Sequence, residues 1–198
     1  MWDQRYQRSD YIYGTTANDF LRAESSAILQ RGKVLCLAEG EGRNAVYLAS
    51  QGYQVTAVDQ SVVGLEKAQL LAQQHDVTIH TEVADLATYD LGEERWDGIV
   101  SIFAHMPAPL RKDLHQRCVK ALKNTGVLLL EAFTKRQLET EGRGGPPAEQ
   151  LDFFMSLEHL KLELDGLDFS IGRELTRYID EGPYHQGESS VVQVLAIK

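Results

Sequence analysis

The pattern of apolar and polar positions changes period several times along the chain, and each change marks an element. Lys33 to Leu37 is a short apolar run with a β-branched residue, and it opens into two closely spaced glycines, Gly40 and Gly42. A strand, a tight turn and a helix start are read from that one line. Gln54–Asp59 reads as a second buried strand, Thr78–Val83 as a third, Trp96–Phe103 as a fourth and Gly126–Phe133 as a strongly apolar fifth. Helical spacing fills the intervals. Asn18 is placed to cap a helix reaching about Gln30, with Phe20, Leu21, Ala27 and Ile28 on one face. Val46, Leu48 and Ala49 belong to a helix that stops at Gly52, and Ser61 caps one that turns Leu65, Ala68, Leu71 and Ala72 inward. Pro109 opens a helix in which Leu110, Leu114, Cys118 and Ala121 recur, and Ser156–Leu164 is another, closed by Gly166. The tail behaves differently. Phe169, Ile171, Leu175 and Ile179 alternate with polar residues, and Val191–Ile197 is a further strand with no helix in between. Two such strands must pair antiparallel. The pattern predicts an α/β chain whose parallel sheet is finished by an antiparallel hairpin.

The glycine turn is where chemistry is expected. Glycine lets the backbone turn sharply with no Cβ in the way of a ligand, and the N–H groups of the following helix face the same spot. Asp59 falls about twenty residues further on, at the carboxyl end of the second strand, where a carboxylate can accept from ribose hydroxyls. Asp85 follows the third strand and is placed to accept from an adenine amino group. A nucleoside-containing cofactor is therefore expected. Gly-x-Gly-x-x-Ala also fits a dinucleotide fingerprint. Glu39 and Glu41, however, flank Gly40 and put negative charge where a pyrophosphate would lie, whereas a sulfonium and an ammonium would be attracted.

Four blocks carry a resemblance: Val34–Ala45, Val55–Ser61, Ala84–Leu86 and Trp96–His105. In them the chain resembles the class I S-adenosylmethionine-dependent methyltransferases, of the small-molecule kind similar to tellurite-resistance and thiopurine methyltransferases. The resemblance covers almost the whole chain. It implies a three-layer Rossmann-like α/β fold with a mostly parallel seven-stranded sheet, S-adenosylmethionine as cofactor, and a small acceptor such as a thiol or a tellurite-like oxyanion. The implied cofactor set is Tyr13, Glu39, Gly40, Gly42, Asp59, Gln60, Ser61, Asp85, Leu86 and Phe103. Two departures stand out. Cys36 occupies the place where the family often has an acid for the methionine ammonium, leaving Glu39 as the nearest substitute. Lys123–Gly126 replaces a Pro-Gly-Gly-type turn.

Candidate catalytic groups are His105, after the fourth strand, and His185, in the hairpin connection Gly182–Gly187. Each imidazole is placed to orient or deprotonate an acceptor, and each has a plainer reading as a backbone-bonded or turn residue. Tyr11, Arg143, Tyr184 and the two histidines form the expected substrate set. Met1 to about Ala17 is too aromatic for a disordered tail and is read as a lid segment or as edge packing. Glu141–Pro147 is flexible by composition, a lid or a connector.

Composition narrows the rest. At 198 residues the chain is expected to be one domain, and 43% hydrophobic with 25% charged residues is ordinary for a soluble protein. A formal charge of −9 supplies no basic stripe, so no nucleic-acid partner is expected. Two cysteines, no membrane-length apolar run and no leader-like start predict a reduced, cytoplasmic monomer with no membrane contact. No cluster has metal-ligand spacing, so no metal is expected. Two other readings stay open: a nicotinamide-dependent oxidoreductase, against which the absence of any Tyr-x-x-x-Lys pair counts, and an S-adenosylmethionine-binding protein without turnover.

Overall fold

A computed structural model describes residues 2–198; Met1, the first residue of the expected lid, lies outside the described residues. Seven strands form one sheet in the order β3-β2-β1-β4-β5-β7-β6. Strands β1 (Lys33–Leu37), β2 (Gln54–Asp59), β3 (His80–Val83), β4 (Trp96–Ile102) and β5 (Leu122–Phe133) run parallel. The hairpin of β6 (Asp168–Asp180) and β7 (Gln186–Ile197) closes the other edge, with β7 antiparallel to both β5 and β6. The sheet class and the terminal hairpin agree with the sequence pattern.

Continuous burial on β1, β2, β4 and β5 follows from helices covering both faces. One layer holds α2 (Asp19–Glu24), α3 (Arg43–Ser50) and α4 (Val62–Gln74), whose Leu21, Val46, Leu48, Leu65 and Leu71 pack on Val34, Cys36, Val55 and Ala57. The opposite layer holds α5 (Ala108–Ala121) and α6 (Leu157–Glu163), packed through Leu114, Cys118 and Leu160 on Leu35, Ile99 and Leu128. A buried ion cluster fastens α5 to α6. Arg111 donates twice from Nε and once from Nη2 to the Glu163 carboxylate at 2.8–3.2 Å, and His115 Nδ1 lies 2.8 Å from Glu163 Oε2.

Several boundaries differ from the sequence pattern. The second helix stops at Glu24 and continues as one 3-10 turn, Ser25–Ala27, because three polar residues interrupt its apolar face. Strand β5 starts at Leu122, four residues early. Thr125 adopts φ 65°, and the local irregularity against Trp96 and Gly98 lets the chain bend while still pairing. The hairpin turn shrinks to residues 181–185 because β7 begins at Gln186. A short helix, α1 (Trp2–Tyr6), precedes the others and has no counterpart in the sequence reading.

Candidate active site

The carboxyl ends of β1, β2, β3 and β4 face a single cavity of about 310 Å³. Its floor is the loop after β1. Ala38, Gly40 and Gly42 alternate in the left-handed region, with φ of 48°, 61° and 90°, and the chain doubles back into α3. Glu39, between them, turns its carboxylate onto the new helix: Oε1 accepts from the Asn44 and Ala45 N–H groups at 3.0 and 2.7 Å. That is the position where a helix N-terminus favours an anion. Burial nonetheless pushes the Glu39 carboxyl up to about 7, against those two bonds and the Arg43 charge. Beneath it lies Cys36, whose thiol is held well above its ordinary range by burial and then by Glu39.

Asp59 ends β2 and braces the same loop. Its Oδ2 accepts from Gly40 N–H at 2.9 Å and its Oδ1 from Ser61 N–H at 2.8 Å, and burial raises its carboxyl. Gln60 is exposed beside it on the cavity wall. Asp85 uses one oxygen to accept from Ala87 N–H at 2.9 Å, so it closes its own turn while lining the cavity with Leu86.

The far end is built of rings. Phe103 directly follows β4 with φ 55°, its N–H donating to Glu131 O at 2.7 Å, and its ring stacks on Phe133 at 4.5 Å. His185 is wedged between Tyr13, Phe103 and Phe133, with centroids 4.4, 4.7 and 5.3 Å away. It is 8% exposed, lines the cavity, and its Nδ1 has no hydrogen-bond partner among the described residues. Burial, then the Arg43 charge, holds its pKa well below the usual imidazole range, so the ring is neutral. Its turn is tied to the glycine loop. Glu181 accepts from Arg43 Nη2 at 2.5 Å, from Arg177 Nη2 at 3.0 Å and from Asn18 Nδ2 at 2.9 Å.

The N-terminal segment covers this cavity. Trp2, Tyr6, Tyr13 and Gly14 all line it. Asp3 accepts from Ser61 Oγ at 2.5 Å, which fastens α1 to the start of α4. The Tyr6 hydroxyl sits 2.5 Å from where a Cβ on Gly40 would project, so Gly40 makes room for that ring.

Of the residues proposed from sequence, Tyr13, Glu39, Asp59, Gln60, Asp85, Leu86, Phe103, His105 and His185 line one cavity. Others do other work. Gly42 is pressed against Ala68 of α4, so its missing Cβ serves helix packing and not a ligand. Glu41, expected to share the cofactor's positive charge with Glu39, also lines the cavity, but its oxygens are taken by Ile12 N–H at 2.8 Å and by Lys67. Ser61 caps α4 and bonds Asp3. Tyr11 lies over Lys67, and Arg143 joins the Gln186 backbone at the surface. Tyr184 is 43% exposed, 6.4 Å from the Tyr13 ring and outside the lining. The reading of His105 as a base does not fit its bonds. Nε2 accepts from Phe133 N–H at 3.2 Å, which leaves the proton on Nδ1, 3.0 Å from Phe153 O. Burial lowers its pKa to about 4, and both nitrogens are occupied. Trp2 and Tyr6 belong to the aromatic segment read as a lid or as edge packing, whereas Arg43 and Asn44 were not singled out from sequence.

The comparisons with known proteins point one way. The family model that matches is a methyltransferase domain, over residues 34–126. An uncharacterized methyltransferase of Bacillus subtilis, YbaJ, is 33% identical over 104 residues, 49% of this chain and 38% of that protein. The probable S-adenosyl-L-methionine-dependent methyltransferase TehB of Haemophilus influenzae is 30% identical over 103 residues, 50% of this chain and 36% of TehB. The matching stretch thus spans little more than a third of either relative's length. The crystal structure of that TehB covers all of this chain and 65% of its own, with a TM-score of 0.71 at 20% identity. A structure from work on the conversion of a disulfide bond into a thioacetal group during echinomycin biosynthesis covers 100% and 90%, with a TM-score of 0.77 at 18% identity. The seven-stranded sheet with antiparallel β7 is the class I methyltransferase α/β fold.

Proposed function

From the premise that the chain carries an S-adenosylmethionine-dependent methyltransferase domain, we propose that it methylates a small acceptor that arrives already deprotonated, a thiolate or an oxyanion. The donor set supports the cofactor half of this reading. Glu39, Asp59 and Asp85 offer carboxylates to an ammonium, ribose hydroxyls and an adenine amino group, and the cations beside the loop are already paired, Arg43 with Glu181 and Lys67 with Glu41. A pyrophosphate would meet three acids and no free positive charge there, which weighs against a nicotinamide cofactor.

When bound, S-adenosylmethionine supplies a methyl carbon on a sulfonium; the acceptor's lone pair forms the new bond as the carbon–sulfur pair returns to sulfur, leaving S-adenosylhomocysteine. What the protein adds is placement. Glu39 and Asp59 hold the donor at the β1 and β2 ends, and the Phe103, Tyr13 and His185 rings exclude water at the other. Their faces suit a sulfonium by cation–π attraction.

The observation that carries the acceptor reading is His185. The ring lines the cavity and its buried Nδ1 has no hydrogen-bond partner among the described residues, yet its depressed pKa makes it a weak base. A weak neutral imidazole orients an acceptor by a hydrogen bond and is of little use to one that must lose a tightly held proton. Arg5, which donates to Tyr13 Oη at 3.0 Å and has no carboxylate partner among the described residues, adds positive charge at that end.

Calorimetry with S-adenosylhomocysteine, followed by a turnover panel of thiols, tellurite-type oxyanions and heterocyclic amines, tests the proposal. Binding with turnover confined to thiols or oxyanions is expected. No binding at millimolar ligand by folded protein would overturn the cofactor assignment, and turnover only with neutral amines would overturn the acceptor class. Silence throughout the panel would favour a binding protein without turnover.

A further inference from the structure

Residues 2–14 meet the rest of the molecule at one unusual centre. Lys67, in the second turn of α4, carries its ammonium into the middle of the segment. Nζ donates to the carbonyl oxygens of Asp10 at 2.7 Å and Arg8 at 3.1 Å, and lies 3.5 Å from that of Tyr6. It is paired with the Glu41 carboxylate and sits 4.7 Å from the centroid of the Tyr11 ring. The side chain is only 12% exposed. Glu41 then reaches back to the same segment by accepting from Ile12 N–H. Alternate carbonyls of residues 6, 8 and 10 are thus wound around a single cation whose countercharge belongs to the glycine loop. Beyond α1 this stretch has no helix or strand of its own to keep that shape.

Lys67 does not line the cavity, whereas the segment it gathers supplies Trp2, Tyr6, Tyr13 and Gly14 to the cavity wall. Lifting the segment would remove Trp2, Tyr6, Tyr13 and Gly14 from the wall against a bound ligand and so ease its release. Lifting withdraws the carbonyls from the ammonium and strips Ile12 N–H from Glu41, leaving two buried charges with fewer partners. Bonds to charged groups are the ones most costly to break. We propose that Lys67 is a positioning residue, a latch that holds residues 6–14 closed and sets the rate at which the S-adenosyl cofactor is released. The latch rests on the cofactor reading given above. It acts on the ligand through the segment alone, with no contact of its own.

The test is the dissociation rate of S-adenosylhomocysteine, measured by displacement in a stopped-flow instrument, for the full chain and for Lys67→Met and Lys67→Arg. Lys67→Met keeps the length of the stem and removes the charge. Release faster by roughly ten- to a hundredfold is expected, the factor that loss of one charged hydrogen bond corresponds to. Lys67→Arg, which keeps the cation, should restore most of the slow release. Amide exchange should quicken in residues 6–14 of Lys67→Met and stay unchanged in β4 and β5. An unaltered release rate in folded Lys67→Met, with the wild type binding normally, would overturn the latch and leave the cofactor reading standing. Exchange quickened throughout the sheet would also overturn it, since the effect would then be general destabilisation. A second measurement needs no variant. Acetylation of Lys67 by acetic anhydride, followed by mass spectrometry, should slow when S-adenosylhomocysteine is saturating. Equal labelling with and without ligand would refute the proposal even if Lys67→Met failed to fold. Failure of the wild type to bind S-adenosylhomocysteine at all would remove the cofactor reading and the latch together.

Discussion

Loading of the cofactor should expel a proton from Glu39. In the ligand-free protein burial raises that carboxyl to about 7, so it is largely protonated at pH 6 and half protonated at pH 7. An ammonium placed against it favours the carboxylate and pulls the pKa back down. With the bound value well below 6, binding releases roughly 0.9 proton at pH 6 and roughly 0.5 at pH 7. By linkage the association constant then rises about fivefold between those two pH values. Calorimetric titration with S-adenosylhomocysteine in two buffers of widely different ionisation enthalpy reads the proton number directly from the dependence of the observed heat on buffer. His185 does not contribute, because its depressed pKa keeps it neutral across the interval. Asp59, whose carboxyl burial also raises, is separated by repeating the titration on Glu39→Gln, which should bind more weakly and release no more than a small residual. A heat independent of buffer at pH 6, or a dissociation constant flat from pH 6 to 7, would refute the pairing of Glu39 with a cation. The same shift has a sign for stability. The folded pKa lies above the unfolded one, so the contribution of Glu39 to the ligand-free fold is complete below about pH 4 and is lost as pH rises through 7.

Three further outcomes can be checked. Asp59→Ala should weaken S-adenosylhomocysteine binding by about 1–3 kcal/mol with an intact far-ultraviolet spectrum; an unchanged dissociation constant would refute the ribose role. His185→Asn should leave cofactor affinity within about twofold and lower turnover of a responsive acceptor by roughly 10²-fold, and equal losses in binding and turnover would assign it to the cofactor instead. Glu163→Ala should cost about 3–5 kcal/mol in urea unfolding, because it strands the buried Arg111 guanidinium beside His115; a loss under about 1 kcal/mol would show that the cluster relaxes into water.

The parallel strands and the closing hairpin were legible in the sequence because burial on both faces leaves a clear record; the order of the strands was not. Leu35, Val58, Ile99 and Leu129 sit in runs that only a covered parallel sheet explains. Strand ends were less legible. Lys123, Asn124 and Thr125 read as a turn, yet they continue β5, since ladder pairing outweighs the preference of exposed polar residues for loops. Among the candidate site residues the sequence pattern marked charge and glycine but could not say which way each faces. Glu39 and Glu41 are two residues apart in the same turn, and the left-handed Gly40 between them sends one to the helix N-terminus and the other to Lys67. His105 and His185 looked alike in sequence, and only the backbone groups of Phe133 and Phe153, distant in the chain, distinguish an occupied ring from an unoccupied one.

The two ends of the cavity are set at a fixed separation by residues that belong to neither. Arg43 directly follows the glycine loop and Glu181 begins the turn that ends at His185, and they meet at 2.5 Å with 8% and 5% of their side chains exposed. Glu181 N–H donates to the His185 carbonyl at 2.8 Å, so the carboxylate and the imidazole ride on one closed turn. A shift of the glycine loop is therefore passed to His185 through two bonds and one ion pair. Arg177 completes the arrangement by bonding Glu181 and Glu131 together, and Glu131 O in turn holds the Phe103 N–H beneath the same ring. Two arginines and two carboxylates balance in charge, which is what allows so polar a cluster to stay buried between the sheet and α2. In-line transfer needs donor and acceptor aligned to within fractions of an ångström. In the proposed reading that alignment rests on the buried Arg43–Glu181 pair, which joins the glycine loop to the hairpin turn.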